Sequence, residues 1–417
     1  MRIHSTRVLG VALAAMVTIT GAGCDSFLEV ENPGTLESDA IDPVRDGELI
    51  SRSAMQNLID AFGHLIINSA WFTNEGRVGD TFPTRNEFGR RDIVSNNGTH
   101  SGENWNALQV AIATGEDAIR VLSEAGGLNA GRSYFVSGFG ILIMAELFCE
   151  GTVKVDLTQP GIPMSTAQML ETAIDRLTEA RQILGGVTGD EAAGMNTAAL
   201  VGIARAHLFA GRDAEAIAAA QQIPTDFVFN FWHVDDPNNR GRLGNNVWNF
   251  SESRLSFVVG PEFRAMADAG DARIAYVDMG RVAQDGELNF FRQDKVKGWA
   301  DPIRFASGLE AQYMILEAQA DVNAIATFIN ERRAVGNQEP FSSTDPTEIW
   351  TEFYDQLTRD FWLEARRMPA WRRNLDYMPY IIPPGDTYYK TGLGLVNNQT
   401  CMIVPASEID NNPNWPK

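Results

Sequence analysis

Beyond its first two dozen residues the sequence has no apolar run long enough to cross a membrane. The best stretch, 139–148, is interrupted by Gly140 and Glu146, whereas a spanning helix needs about 20 apolar residues. Basic residues are also scarce: 34 Lys and Arg face 54 Asp and Glu, a formal charge of -20. Such a balance argues against nucleic acid, whose phosphates attract Lys and Arg, and against adhesion to anionic lipid. Five histidines are present, and one of them, His4, lies near the N-terminus. No GxSxG elbow, HExxH pair, Walker loop or EF-hand loop occurs. No two carboxylates stand out as an acid/base pair. The sequence therefore points away from an enzyme and implies no cofactor.

What the N-terminus does hold is an export signal. Arg2 and Arg7 precede an uncharged stretch, 8–20, which ends in Gly21-Ala22-Gly23 directly before Cys24. Positive start, short apolar middle and small residues at the cut define a signal peptide over 1–23. A cysteine just after the cut looks like a lipobox, in which Cys24 takes the lipid, although Gly21 stands where Leu is usual. Removing Arg2 and Arg7 and no acid takes the charge from -20 to -22.

Only Cys149 and Cys401 remain. No CxxC or Cys/His ligand spacing exists, so no metal site is expected. An exported chain meets an oxidising compartment, where a disulfide can form. A chain this long does not need a staple, however, and the favoured reading is two buried free thiols.

Residues 24–50 read as a polar tether and 24–417 as one domain. Apolar residues at Met55, Leu58, Ile59, Phe62, Leu65 and Ile66 predict a helix over 51–67. Residues 73–102, rich in Gly, Asn and Arg, lack periodicity and read as a long functional loop. Helices then follow over 105–125, 132–150, 166–184, 196–210 and 213–223, several closed by glycine. In the last two, Ala204, Ala206, Ala214, Ala216 and Ala220 sit where a tight helical hairpin would touch, as in tetratricopeptide units. Residues 225–306 form an irregular insertion, with a possible strand over 254–259. Helices resume over 308–320, 322–333 and 349–365. The expected class is all-α: tetratricopeptide-like hairpins carrying a loop-rich, partly irregular ligand-binding insertion.

Aromatics gather in or beside the irregular segments: Trp71, Phe72, Trp105, Trp232, Trp248, Phe250 and Trp299. Sugar rings stack their CH faces on such side chains, while Asn, Asp and Arg bond the hydroxyls. Core packing is the competing role for any one of them. The pair Trp232/Trp248 is flanked by Asn238, Asn239, Asn245 and Asn246, and candidate ligand-binding residues are Trp71, Asn74, Arg85, Trp232, Asn245 and Trp248. Asp235, Asp236, Asn238 and Asn239 could offer oxygens to Ca²⁺, but an acidic surface turn is the preferred reading.

Several segments together resemble the SusD/RagB family of outer-membrane nutrient-binding lipoproteins. They are the start at Cys24-Asp25-Ser26-Phe27-Leu28, the stretch Trp71-Phe72-Thr73-Asn74-Glu75 with Thr81-Phe82-Pro83-Thr84-Arg85, and Ala145-Glu146-Leu147-Phe148-Cys149. To these add Ser307-Gly308-Leu309-Glu310-Ala311 with Phe328-Ile329-Asn330-Glu331-Arg332-Arg333, and Val404-Pro405-Ala406-Ser407-Glu408-Ile409. Two features depart from that pattern: the minimal turn at Ala320-Asp321-Val322, and Leu357-Thr358-Arg359-Asp360 where Glu-Arg is usual. The resemblance implies binding without catalysis, a glycan or other nutrient as ligand, and a SusC-like TonB-dependent barrel over which the lipoprotein sits as a lid. A tetratricopeptide-type scaffold that binds only proteins is the alternative.

Overall fold

The first helix among the described residues, α1 (Pro43–Phe72), starts at a proline, whose missing N–H costs nothing in a first turn. The structure, a computed structural model, describes residues 42–154 and 158–416. The signal peptide, Cys24 and most of the tether lie outside those residues. Residues 43–50 belong to α1 rather than to the tether, and α1 also continues past Ile67. Its last turn breaks the apolar period with Asn68 and Ser69, yet both are satisfied internally. Asn68 Nδ2 donates to Asn104 Oδ1 at 2.7 Å, and Ser69 Oγ donates to the Ile66 carbonyl at 3.2 Å. That extra turn carries Trp71 and Phe72 into the core.

Segment 73–102 is not a plain loop. It contains a short strand, β1 (Arg77–Val78), a helix α2 (Pro83–Arg90), and the start of a π-helical turn, His100–Asn106. Next come α3 (Ala107–Leu122), α4 (Gly127–Leu147), α5 (Thr166–Leu184), α6 (Asp190–Phe209) and α7 (Asp213–Ala220), each packed on its predecessor. A hairpin of β2 (Glu150–Val153) and β3 (Ile162–Ser165) leads from α4 to α5. A capping box opens α5, with Ser165 and Gln168 exchanging bonds. Helix α4 is buried almost all round and needs close neighbours. A Cβ on Gly138 of α4, or on Gly202 of α6, would lie 2.7 Å from Leu177 of α5, so glycine at both positions lets three helices converge on one leucine. In the α6–α7 hairpin Ala204, Ala206, Ala216 and Ala220 are buried as expected, but Ala214 faces outward.

The irregular insertion is closed at its neck by β4 (Val228–Phe231) pairing antiparallel with β8 (Ile303–Ser307). Inside it lie β5 (Phe257–Val258), which pairs with β1, helix α8 (Pro261–Asp268), and a hairpin of β6 (Tyr276–Val282) and β7 (Asn289–Gln293). Then follow α9 (Gly308–Gln319) and α10 (Val322–Val335), joined by a left-handed Ala320 (φ 53°) and by Asp321, whose carboxylate caps α10. A tight turn is therefore sufficient at this joint. Helix α11 (Pro346–Asp360) ends on an acid that takes over a structural task. Asp360 accepts from Arg332 Nε and Nη2 at 2.8 Å, Arg273 Nη1 at 3.0 Å and the Tyr313 hydroxyl at 2.7 Å. Helix α12 (Arg367–Arg373) follows, and the tail ends in α13 (Ala406–Asn411).

Cys149 and Cys401 are disulfide-bonded, with Cα atoms 5.2 Å apart, which corrects the free-thiol expectation. Chain length misled that reading, because the bond does not staple the core. It fastens a tail with little regular structure to the end of α4, where Cys149 N donates to the Met402 carbonyl and Met402 N to the Leu147 carbonyl, each at 2.9 Å. The same tail is laced onto segment 73–97. Asn397 N donates to the Arg90 carbonyl and Ala406 N to the Ser95 carbonyl, both at 2.7 Å, and Ile382 N donates to Asn74 Oδ1 at 3.0 Å.

Candidate ligand-binding cleft

Along α1, Arg52, Gln56, Asp60 and His64 recur every four residues and form one polar stripe. The insertion lies along it. Gln56 Nε2 donates to the Arg242 carbonyl at 2.9 Å, Asn246 Nδ2 reaches Asp60 Oδ1 at 3.4 Å, and the His64 and Phe250 rings meet edge to face at 6.0 Å. At this end of the stripe two π-helical turns converge, His100–Asn106 bringing Glu103 and Asn249–Ser253 bringing Phe250. Such turns are rare and cluster at functional sites because they re-aim side chains out of helical register.

Close by is a cleft of about 300 Å³ lined by Asp80, Phe82, Arg85, Arg254, Ser256 and Gln284. Phe82, just before α2, is 55% exposed and forms the lip. Arg85, in the first turns of α2, is buried and braced by Asp80 and by Glu103 Oε1 at 3.4 Å. Its guanidinium lies 5.2 Å from the Phe82 ring centre and 5.1 Å from that of Phe250. Arg254 stands 4.8 Å from the Phe250 ring centre, and its nearest carboxylate, Glu103, is 3.9 Å away. Burial and the adjacent Arg85 charge lower the Arg254 guanidinium from its usual range. Burial likewise lowers His64, outweighing Glu103 and Asp60 at 3.9 and 3.8 Å, and it raises Asp60. The imidazole is thus neutral near pH 7. Arg85 Nε, Glu103 Oε2 and His64 Nδ1 are buried without a hydrogen-bond partner among the described residues. Unmet donors and acceptors beside an open aromatic face suit a hydroxyl-rich, ring-shaped ligand.

Of the residues expected at the site, only Arg85 lies in this cleft. Trp71 is fully buried and packs on Phe250 and Phe257. Asn74 is buried in a left-handed conformation (φ 63°) and anchors the tail through Ile382. Asn245 is consumed as a helix cap, accepting from Val247 N at 2.9 Å and Trp248 N at 3.3 Å and donating to the Asp301 carbonyl at 2.9 Å. Trp248 is half-buried under Arg292, 5.2 Å from its ring centre. Trp232 lines a different groove. In the candidate calcium turn, Asp235 pairs with Arg240 at 2.6 Å and Asp236 accepts from Asn239 Nδ2 at 2.7 Å, so the carboxylates are occupied. Sequence reasoning missed Phe82, Glu103, Arg254, Ser256 and Gln284. The one local signal was Phe82-Pro83 at the head of a helix with Arg85 in its first turn.

No family model matches the sequence, and no curated protein matches it. Solved structures do. A SusD-like carbohydrate-binding protein from Bacteroides vulgatus superposes with TM-score 0.69 at 13% identity, covering 89% of this chain and 96% of its own. A SusD superfamily protein from Parabacteroides distasonis gives 0.66 at 16% identity, over 90% and 99% of the two chains. The chain has the SusD-like fold. A chitin-binding protein shares that fold, with TM-score 0.60 at 13% identity over 87% of this chain and 95% of its own. Within the SusD-like fold the helical hairpins form the scaffold, and segment 73–106 and the insertion line the cleft.

Proposed function

We propose that the protein captures saccharides on the cell surface as a lipoprotein and serves as the lid of a SusC-like TonB-dependent outer-membrane transporter. The observation that carries the binding half is the Phe82/Arg85/Arg254 cleft, an exposed ring beside guanidinium and carboxylate groups with hydrogen-bonding capacity to spare. Structures of like fold described as carbohydrate-binding and chitin-binding support the same ligand class. Binding without turnover is part of the reading, supported by structures of like fold that are described as binding proteins. No described helix is long and apolar enough to cross a membrane, so attachment through Cys24 would supply the anchor and keep the binding face near its pore.

The test has two arms. Mature protein is titrated calorimetrically with maltohexaose, xylohexaose and chitohexaose, and binding to one of them that Arg254→Ala weakens is expected. Absence of binding across the set, or binding indifferent to that substitution, refutes the cleft. Separately, affinity purification of the lipidated protein from its native envelope should recover an outer-membrane barrel, and Cys24→Ala should release the protein in soluble form. Recovery of no barrel refutes the lid, and continued membrane retention of the Cys24 variant refutes the anchor. The protein-scaffold alternative predicts partners in that purification and no saccharide binding.

A further inference from the structure

Of the nine tryptophans in the chain, Trp232 alone is exposed, with 66% of its surface open. It follows the last residue of β4 and walls a groove of about 550 Å³ between the first half of α1, the start of α6 and β4. No lining residue is shared with the Arg85 cleft. The groove is lined by Arg52, Met55 and Ile59 of α1, whereas no residue of α1 lines the cleft.

The groove floor is apolar, with Met55 and Met195 beneath the indole. Its rim is polar in a particular way. Arg52 is committed to Glu48 at 2.8 Å and to Glu191 at 3.3 Å, and Glu191 is also held by Arg132 at 2.7 Å. Asp190 adds a carboxylate that pairs with no cation among the described residues, so the rim repels anions. The Asn230 side-chain amide faces the same groove and makes no hydrogen bond with any described residue. An open indole face, an amide able to donate and accept, and a carboxylate acceptor fit one chemistry. They fit the CH face and the hydroxyls of an uncharged pyranose ring. A dry protein contact would leave the amide and the carboxylate buried without partners.

We propose that this groove is a second saccharide subsite, specific for a neutral sugar ring and separate from the cleft. The proposal rests on the carbohydrate reading above. The test uses the mature full-length chain, the same three hexasaccharides, and acrylamide quenching of tryptophan emission, to which Trp232 is the most accessible indole. The expected result is that a hexasaccharide protects wild-type emission from quenching. Trp232→Ala should remove that protection and weaken affinity roughly tenfold, while Trp232→Phe should retain most of the affinity. Arg254→Ala, which disables the cleft, should leave the protection in place. Saturating binding without protection, together with unchanged affinity in Trp232→Ala, overturns the subsite and leaves the cleft standing. Binding of none of the three sugars overturns both. A change in sedimentation on Trp232→Ala with saccharide binding unaffected makes the groove an interface between copies and also overturns the proposal.

Discussion

Replacing Cys149 and Cys401 with serine probes how the tail supports the cleft. The bond closes a loop of 252 residues. Chain-entropy reasoning sets an upper limit of about 5.5 kcal/mol for a loop of that length, and residual structure in the unfolded chain brings measured values nearer 2–4 kcal/mol. About 3 kcal/mol is the expected loss, read as the difference in unfolding free energy extrapolated from guanidinium titrations of the double variant and the oxidised parent. A second effect should accompany it. The stapled tail bonds to Arg90, at the end of α2, and to Ser95 beyond it, and Tyr388 and Lys390 reach Asn86 and the Asp80 carbonyl at 3.2 and 2.7 Å. The loosened tail holds α2 less firmly, so saccharide affinity at the cleft should fall while the far-ultraviolet spectrum stays helical. Two titratable thiols in the native parent would refute the bond. A stability difference under about 1 kcal/mol would refute the view that the tail depends on it.

Three further outcomes are expected. Asp360→Asn takes the carboxylate from half-buried Arg332 and from Arg273, which keeps Asp271 at 2.7 Å, and about 2–3 kcal/mol of stability should disappear; a loss below about 1 kcal/mol in urea unfolding contradicts that network. Burial pushes the Glu75 carboxyl up to about 7. A raised acid pKa means the folded state holds the proton longer than the unfolded one. Stability should therefore fall between pH 4.5 and about 7 and level off above, by roughly 3 kcal/mol. Glu75→Gln should flatten that slope and be the more stable protein at pH 8, and a variant less stable than the parent there sinks the assignment. In the cleft, Phe82→Ala should cost roughly fivefold in affinity and Arg254→Ala tenfold or more. Phe82 is exposed, so Phe82→Ala should melt with the parent; a matching drop in melting temperature would mean its role is structural.

The helical scaffold was legible because its signals are local. Periodicity and glycine stops put a helix over 166–184, where α5 lies, and a pair over 308–320 and 322–333, close to α9 and α10. The pair Gly126-Gly127 marks the joint but not as a stop: α3 ends at Leu122 with Ser123 as a right-handed cap, and Gly126 and Gly127 open α4. What failed were features decided by distant partners. Helix α2 has only eight residues and little apolar period, and the tail holds it in place through Arg90 and Asn86. Trp71 and Asn74 looked like loop residues because Asn68 and Ser69 hide the continuation of α1, which depends on a bond to Asn104. Asn245 looked like a hydroxyl-binding amide, but a short helical turn claims its oxygen and the Asp301 carbonyl its nitrogen. The cleft draws Phe82 and Arg85, Glu103, Arg254, and Gln284 from four separate segments, and no spacing within one segment encodes their meeting.

Charge shows how the work is divided within the chain. Residues 225–306 hold twelve acids and ten bases, a net of -2, out of -20 for the whole sequence. The remaining -18 therefore sits outside the insertion. A large net charge of one sign keeps a protein soluble and repels like-charged surfaces. Placing it away from the insertion leaves the proposed capture face nearly neutral, with most of the insertion's arginines already committed to carboxylates, as Arg292 is to Glu252 at 2.6 Å and Arg304 to Glu364 at 2.8 Å. An uncharged sugar gains nothing from long-range steering, so its capture depends on local shape, stacking and hydrogen bonds. That demand is met by the two features the sequence could not display: the π-helical turns that aim Glu103 and Phe250, and the stapled tail that fixes α2 behind Arg85.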